Sequence, residues 1–112
     1  MFGCVVNPFS KDAYFDYEKW YEVAYEGQRL MDNLVDLELE RIEQILHKID
    51  SDPEPDHIKQ TEKITWENLY ASGKNGRRTG LGFTAMADAL AALGLKYDSN
   101  KALDVIEKIM KH

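Results

Sequence analysis

The 112-residue chain has one cysteine, three prolines and no long apolar run. A single cysteine excludes an internal disulfide, and no zinc-ligand pattern surrounds it. Cys4 is therefore either a small apolar side chain turned inward or a reactive thiol. No stretch approaches the roughly 18 apolar residues of a membrane span, so no membrane partner is expected. The opening MFGCVVNPF lacks the charged start and long apolar core of a signal peptide, which predicts a cytoplasmic protein. His47, His57 and His112 are far apart, with no His pair at i, i+4, so no metal is expected. A di-iron bundle needs Glu-x-x-His on two helices, and no such pair of motifs occurs.

Basic excess is also lacking. The net charge is -6, which argues against general nucleic-acid binding. The charge is uneven: residues 36–67 carry ten acids against four bases, and residues 68–112 carry four acids against seven bases. The two stretches either attract each other within a hairpin or face different neighbours. Asp36, Glu38, Glu40 and Glu43 read as a solvated face. The apolar fraction, 44%, is enough for one modest core.

Periodicity predicts an all-α chain: a long helical hairpin plus two shorter helices, with at most one short N-terminal extended segment. Val5-Val6 before Asn7-Pro8 supply that segment, and Ser10 or Asp12 can cap the first helix. Residues 13–49 read as one long helix or a pair kinked near Asp36. Trp20, Val23, Ala24, Gly27, Met31 and Leu34 form its first stripe. Gly27 lies on that stripe, which admits the close approach of another backbone. Val35, Leu39, Ile42, Leu46 and Ile49 continue as a short heptad-like seam. Pro53 and Pro55 break the helix. A second helix spans 55–72 with Ile58, Trp66, Leu69 and Tyr70 as a thin face, and Gly73 as its stop. Residues 74–82 form a Gly/Arg turn. A helix over 84–93 places Phe83, Met86, Ala87, Leu90 and Leu93 on one side and ends at Gly94. A last helix, 99–111, is striped by Ala102, Val105, Ile106, Ile109 and Met110.

Chemistry, if any, centres on the turn. Arg77 and Arg78 are fork-shaped donors, and Gly80 and Gly82 leave backbone N–H groups free to face a concavity. That set predicts a phosphate site, or else a turn whose arginines pair with the acidic helices. It matches neither a P-loop nor a dinucleotide fingerprint. Alanines 85, 87, 89, 91 and 92 put small side chains on several helix faces, with Asp88 as a solvent-facing or locally bonded carboxylate. Tyr14, Phe15, Tyr17, Trp20, Tyr21 and Tyr25 cannot share one stripe. They make either an aromatic core or a surface awaiting a partner.

VVNPF at 5–9, YEVAYEGQRLMDNLVDLE at 21–38 and GRRTGLGFTAMADALAALGLKYDS at 76–99 carry a resemblance. The chain resembles the ribonucleotide reductase large subunit over most of its length, closest to the adenosylcobalamin-dependent class II form. The third tract is the most specific, and the resemblance places it in the α/β-barrel part, after the strand of a redox cysteine. The resemblance implies reduction of ribonucleotides for deoxyribonucleotide biosynthesis and DNA replication. It implies a cysteine thiyl radical, generated through adenosylcobalamin, and a cysteine pair supplying electrons. Here the Asn-x-Cys-x-Glu radical motif and the second redox cysteine are absent, and Cys4 does not take over either role. A ten-stranded barrel is not expected from at most one short strand. The expectation is a helical fragment of the large subunit, without catalytic residues or cofactor of its own and inactive alone. Its partner would be the remainder of the subunit. The alternative is a stand-alone helical protein-protein interaction module or homo-oligomer, using exposed apolar surface.

Overall fold

Val5–Val6 (β1) and Tyr14–Phe15 (β2) pair antiparallel, with Val5 opposite Phe15 and Val6 opposite Tyr14. This computed structural model describes residues 1–111; His112, one of the three histidines weighed as ligands, lies outside the described residues. Apart from that ladder and a 3-10 turn at Phe2–Cys4, the described elements are helices: α1 Tyr17–Ser51, α2 Asp56–Gly76, α3 Met86–Ala92 and α4 Asn100–Lys111. The fold class is all-α, as the periodicity predicts. The chain divides into two compact units, Met1–Gly27 with Leu81 onward, and Gln28–Gly80.

In the first unit, the predicted helix start at residue 13 is replaced by β2. Ladder pairing holds residues 14 and 15 extended, so α1 begins at Tyr17. The cap is Asp16, whose Oδ1 accepts the Lys19 N–H at 2.9 Å, and not Ser10 or Asp12. Ser10 instead closes the loop after β1, donating its hydroxyl to the Asn7 carbonyl. Cys4, Val5, Phe15, Ala89, Ala92 and Ile109 form the core, with Met1, Tyr17, Trp20, Leu93 and Val105 packed against it. Phe15 meets Tyr17 and Trp20 edge-on, and Trp20 meets Phe83 the same way. The Trp20 indole N–H donates to the Ile109 carbonyl at 3.1 Å, so the polar edge of this half-buried ring is satisfied.

α3 is shorter than its 84–93 expectation, and it buries Ala89, Leu90 and Ala92 while Ala87 and Ala91 stay exposed. One alanine face is used, not several. The helix ends in a Schellman motif. Gly94 takes φ +70, its N–H bonds the Ala91 carbonyl, and the Leu95 N–H bonds that of Leu90. Ser99 then caps α4 by accepting the Ala102 N–H. α4 turns Ala102 and Ile109 inward, whereas Met110, expected on the same stripe, is 57% exposed.

In the second unit, α1 continues through Asp36 as part of one helical segment, Tyr17–Ser51. Val35, Ile42 and Ile49 are buried at heptad spacing, while no residue of α2 is buried. The two helices are antiparallel: Lys63 pairs with Asp50 at 2.7 Å, the Tyr70 hydroxyl donates to Glu43 at 2.6 Å, and Arg77 pairs with Asp36 at 2.8 Å. α2 does not stop at Gly73 but continues to Gly76. A Cβ at Gly73 would lie 3.2 Å from a Leu39 methyl, so this glycine makes room for a leucine of the facing helix.

Candidate functional site

The Gly/Arg turn is built on the C-terminus of α2. Arg77 itself is the C-cap, at φ 39 and ψ 46, and its N–H bonds the Gly73 carbonyl at 2.9 Å. The left-handed backbone is unusual for a side-chain-bearing residue. It swings the guanidinium back onto α1. There Nε donates to Asp32 Oδ1 at 2.8 Å, Nη1 to Asp36 Oδ1 at 2.8 Å, and Nη2 to the Asp32 carbonyl at 3.2 Å. Hydrogen bonds to Asp36 and then Asp32 raise the Arg77 pKa further. Next to this clasp, the Gln28 amide donates to the Thr79 hydroxyl at 2.8 Å. The clasp ties the start of the second unit's α1 segment to the end of α2.

The four expected phosphate ligands are not held alike. Arg77 is committed to two carboxylates. Arg78 makes no ion pair among the described residues and lines a groove of about 560 Å³ with Arg41 and Glu38. Gly80 and Gly82 have open space where a Cβ would stand, and neither takes a positive φ. Gly80 belongs to the second unit and Gly82 to the first. The helix expected to start just beyond them begins at Met86, behind Ala85 in a left-handed conformation.

Leu34, Leu37, Ile42, Ile45, Trp66 and Leu69 make up most of the apolar lining of the groove. Arg41 spends one N–H on the Gln44 side-chain oxygen at 2.8 Å. The arrangement can bind apolar surface and pair charges at its edge. No group of three His, Cys, Asp or Glu side chains that could hold a metal occurs among the described residues.

Other residues singled out in the sequence fall as follows. Cys4 is 6% exposed and lies in the first unit's core. The aromatics divide: Phe15 is buried, whereas Tyr14, Tyr21 and Tyr25 are 55%, 55% and 52% exposed. Tyr21 and Tyr25 stack on each other with centroids 6.3 Å apart. A Cβ on Gly27 would meet a Leu81 methyl at 3.2 Å, so a side chain and not another backbone approaches there. Asp88 is exposed. No described helix is long and apolar enough to cross a membrane.

Of the two readings of the turn, arginines pairing with the acidic helices holds for Arg77, but sequence reasoning did not name Asp32 and gave Asp36 only as part of a solvated face. Their signal was present. Asp50–Lys63, Glu43–Tyr70 and Asp36–Arg77 are mirror positions about Asp56–His57, the first turn of α2 just past the Pro53–Pro55 break. With the mirror point set there, Arg77 falls opposite an i, i+4 pair of aspartates, Asp32 and Asp36.

Residues 3–112 match the family model described as ribonucleotide reductase, barrel domain. Searches of the curated proteins and of the solved structures find no match. The model spans both units, the aromatic N-terminal ladder and the Gly/Arg turn alike, and the chain belongs to the ribonucleotide reductase barrel-domain family.

Proposed function

We propose that this chain is a helical structural segment of a ribonucleotide reductase large subunit of the adenosylcobalamin-dependent form. It supplies packing surface and no reacting group. The observation that carries the reading is the state of the only thiol: Cys4, 6% exposed, sits among Val5, Phe15 and Ala92. Replacing a ribose hydroxyl by hydrogen is a two-electron reduction. A thiol pair supplies two electrons by closing a disulfide, and one cysteine has no partner with which to close it. A buried thiol is also out of reach of a substrate.

The residues present do not fit adenosylcobalamin. A thiol meant to receive a radical must face the cofactor, and Cys4 faces aliphatic and aromatic side chains. The cofactor belongs, in this reading, to the remainder of the subunit, together with the radical and redox cysteines. What this chain offers is apolar surface. Leu30, Leu34, Leu37, Ile64 and Leu69 are each about half exposed or more on the hairpin. Tyr14, Tyr21 and Tyr25 are exposed on the first unit. Exposed apolar surface of this extent is expected on a piece that packs against more protein.

Two assays test it. The purified 112-residue chain, given ribonucleotides, cobalamin cofactor and a dithiol, is expected to form no deoxyribonucleotide; turnover ends the proposal. Co-expression with a class II large subunit lacking the matching segment is expected to restore activity in trans. Failure to associate with such a subunit counts against the packing role.

A further inference from the structure

The last turn of α2 ends in Asn75-Gly76, and both residues are exposed. Of the asparagines Asn7, Asn33, Asn68, Asn75 and Asn100, Asn75 is the one followed by glycine. We propose that Asn75-Gly76 is a self-modifying site guarded by the Arg77 clasp. When the clasp opens, the Gly76 backbone nitrogen closes on the Asn75 side-chain carbonyl carbon, and the asparagine becomes an aspartyl or isoaspartyl residue. The proposal goes beyond the reductase reading and does not depend on it.

The step balances with water as the only co-reactant. The Gly76 amide loses its proton, its nitrogen bonds to Asn75 Cγ, and the Cγ–Nδ2 bond breaks. The side-chain nitrogen takes up a proton and leaves as ammonia. Water then opens the cyclic imide at either carbonyl, and nothing is oxidised or reduced. Two features of the site favour the attack. Glycine has no Cβ to obstruct the approach to its nitrogen. The Arg78 side chain lies over the same residue: a Cβ built on Gly76 would stand 3.6 Å from Arg78 Cγ and 3.7 Å from Nε. A guanidinium at that distance favours the deprotonated amide, which is the attacking form.

The folded turn holds the reaction off. Gly76 is the last residue of α2, so its N–H points back along the axis to the carbonyl four residues earlier. Helical ψ at Asn75 also keeps its side chain out of line with the next nitrogen. What prevents this terminal turn from fraying is the residue after it. Arg77 caps the helix through its N–H to Gly73 and is fixed by its guanidinium to Asp32 and Asp36. Once the reaction has occurred the turn does not recover. An aspartate at a helix C-terminus opposes the helix dipole, and an isoaspartyl link lengthens the backbone inside the turn. The modification is therefore a one-way release of the clasp.

The test is prolonged incubation of the full chain at neutral pH, followed by mass spectrometry of its peptides to count conversion at Asn75. The folded chain is expected to convert more slowly than the same chain in urea. Arg77→Ala is expected to speed the folded reaction about threefold or more, the effect of losing two exposed ion pairs. Gly76→Ala is expected to suppress it in both states, and the site admits that methyl at ordinary contact distance. Arg78→Gln, added to Arg77→Ala, is expected to give back part of the gain. Equal rates in buffer and in urea overturn the proposal, as does an Arg77→Ala rate no faster than that of the parent chain. Should Arg77→Ala also lower the thermal midpoint, Ile42→Ala decides, because it weakens the same hairpin without touching the clasp. An equal or larger acceleration in Ile42→Ala overturns the guarding role, since global unfolding then sets the rate. A rate that Arg78→Gln leaves unchanged overturns the part given to Arg78.

Discussion

The two units reach stability by opposite routes. In the first, residues from both ends of the chain share one core: Cys4, Val5 and Phe15 from the start, Ala89, Ala92 and Ile109 from the end. Backbone bonds reinforce that closure. The Phe9 N–H donates to the Ala92 carbonyl at 2.8 Å, and the terminal ammonium donates to the Thr84 carbonyl at 2.9 Å. In the second unit, two consecutive helices fold back on each other and are joined mostly by polar pairs at their surface. Long-range burial is costly in chain entropy but rewards each added apolar group. Local polar pairing is quick to form and individually weak when solvent reaches it. The lesson is that one helix, α1, serves a true core at its N-terminal part and an unfinished one along the rest.

Matched truncations give the largest expected contrast. Ile109 is 2% exposed in the first unit and Ile42 is 5% exposed in the second. Isoleucine-to-alanine changes in cores cost about 2–5 kcal/mol, depending on how well the site collapses or fills. Ile109→Ala leaves a hole enclosed by Cys4, Phe15 and Ala92, so its cost is expected near 4 kcal/mol, the upper part of that range. Ile42→Ala opens onto a groove that water already enters, so its cost is expected near 2 kcal/mol. The chain has two tryptophans, Trp20 in the first unit and Trp66 in the second. Denaturant titrations in Trp66→Phe and Trp20→Phe backgrounds therefore read the units separately. Equal losses would mean that the hairpin core is as closed as the other and that the contrast fails.

A smaller difference is expected with pH. The Lys63 hydrogen bond, then its charge, lowers the Asp50 pKa from the ordinary 3.8. A lowered folded-state pKa gives stability that is present above 3.8 and is lost as pH falls through the folded value. At the alkaline end, Asp50 raises the Lys63 pKa from 10.5 and Glu43 raises that of Tyr70 from 10.0. Those contributions are complete below the ordinary values and are lost as pH climbs through the raised ones. The Trp66 signal is expected to show a lower denaturation midpoint below pH 3.8 than at pH 7, and Lys63→Met to remove much of that acid dependence. An unchanged acid dependence in Lys63→Met would show that the pair at the hairpin tip does not set it.

The difference between the units also explains what could be read from the sequence. The hairpin was legible because its determinants are local: a heptad stripe at Val35, Ile42 and Ile49, and two prolines that break the helix after it. The family was legible from the three short tracts that carry the resemblance. The first unit was not legible in detail. Tyr14 and Phe15 sit in a pattern that suits a helix, and only the pairing with Val5 and Val6, a long-range fact, makes them a strand. The Arg77 clasp was legible as a class of contact, the turn's arginines pairing with the acidic helices, but not in its residues, for a related reason. Gly73 looked like the helix stop, but Leu39 packs over it and the helix runs on to Gly76, which carries Arg77 opposite Asp32 and Asp36.

The smallest expected effect sharpens the comparison at a single backbone position. Ala85 precedes α3 at φ 61 and ψ 37, a left-handed conformation held while its carbonyl accepts the Ala89 N–H at 3.1 Å. For a residue with a Cβ this conformation costs about 1–2 kcal/mol. Glycine adopts it freely but loses about 0.4–1 kcal/mol more through the unfolded chain. Ala85→Gly is therefore expected to stabilise the first unit by about 0.5–1 kcal/mol, the balance of those two effects. The carbonyl bond to Ala89 belongs to the backbone and survives the change. Because α3 supplies Ala89 and Ala92 to the first core and nothing to the hairpin's buried set, the gain should appear in the Trp20 transition and leave the Trp66 transition where it was. A gain shared by both signals would show that the two units unfold as one. A loss in the Trp20 signal would show that the Ala85 methyl contributes more by packing than its backbone costs in strain.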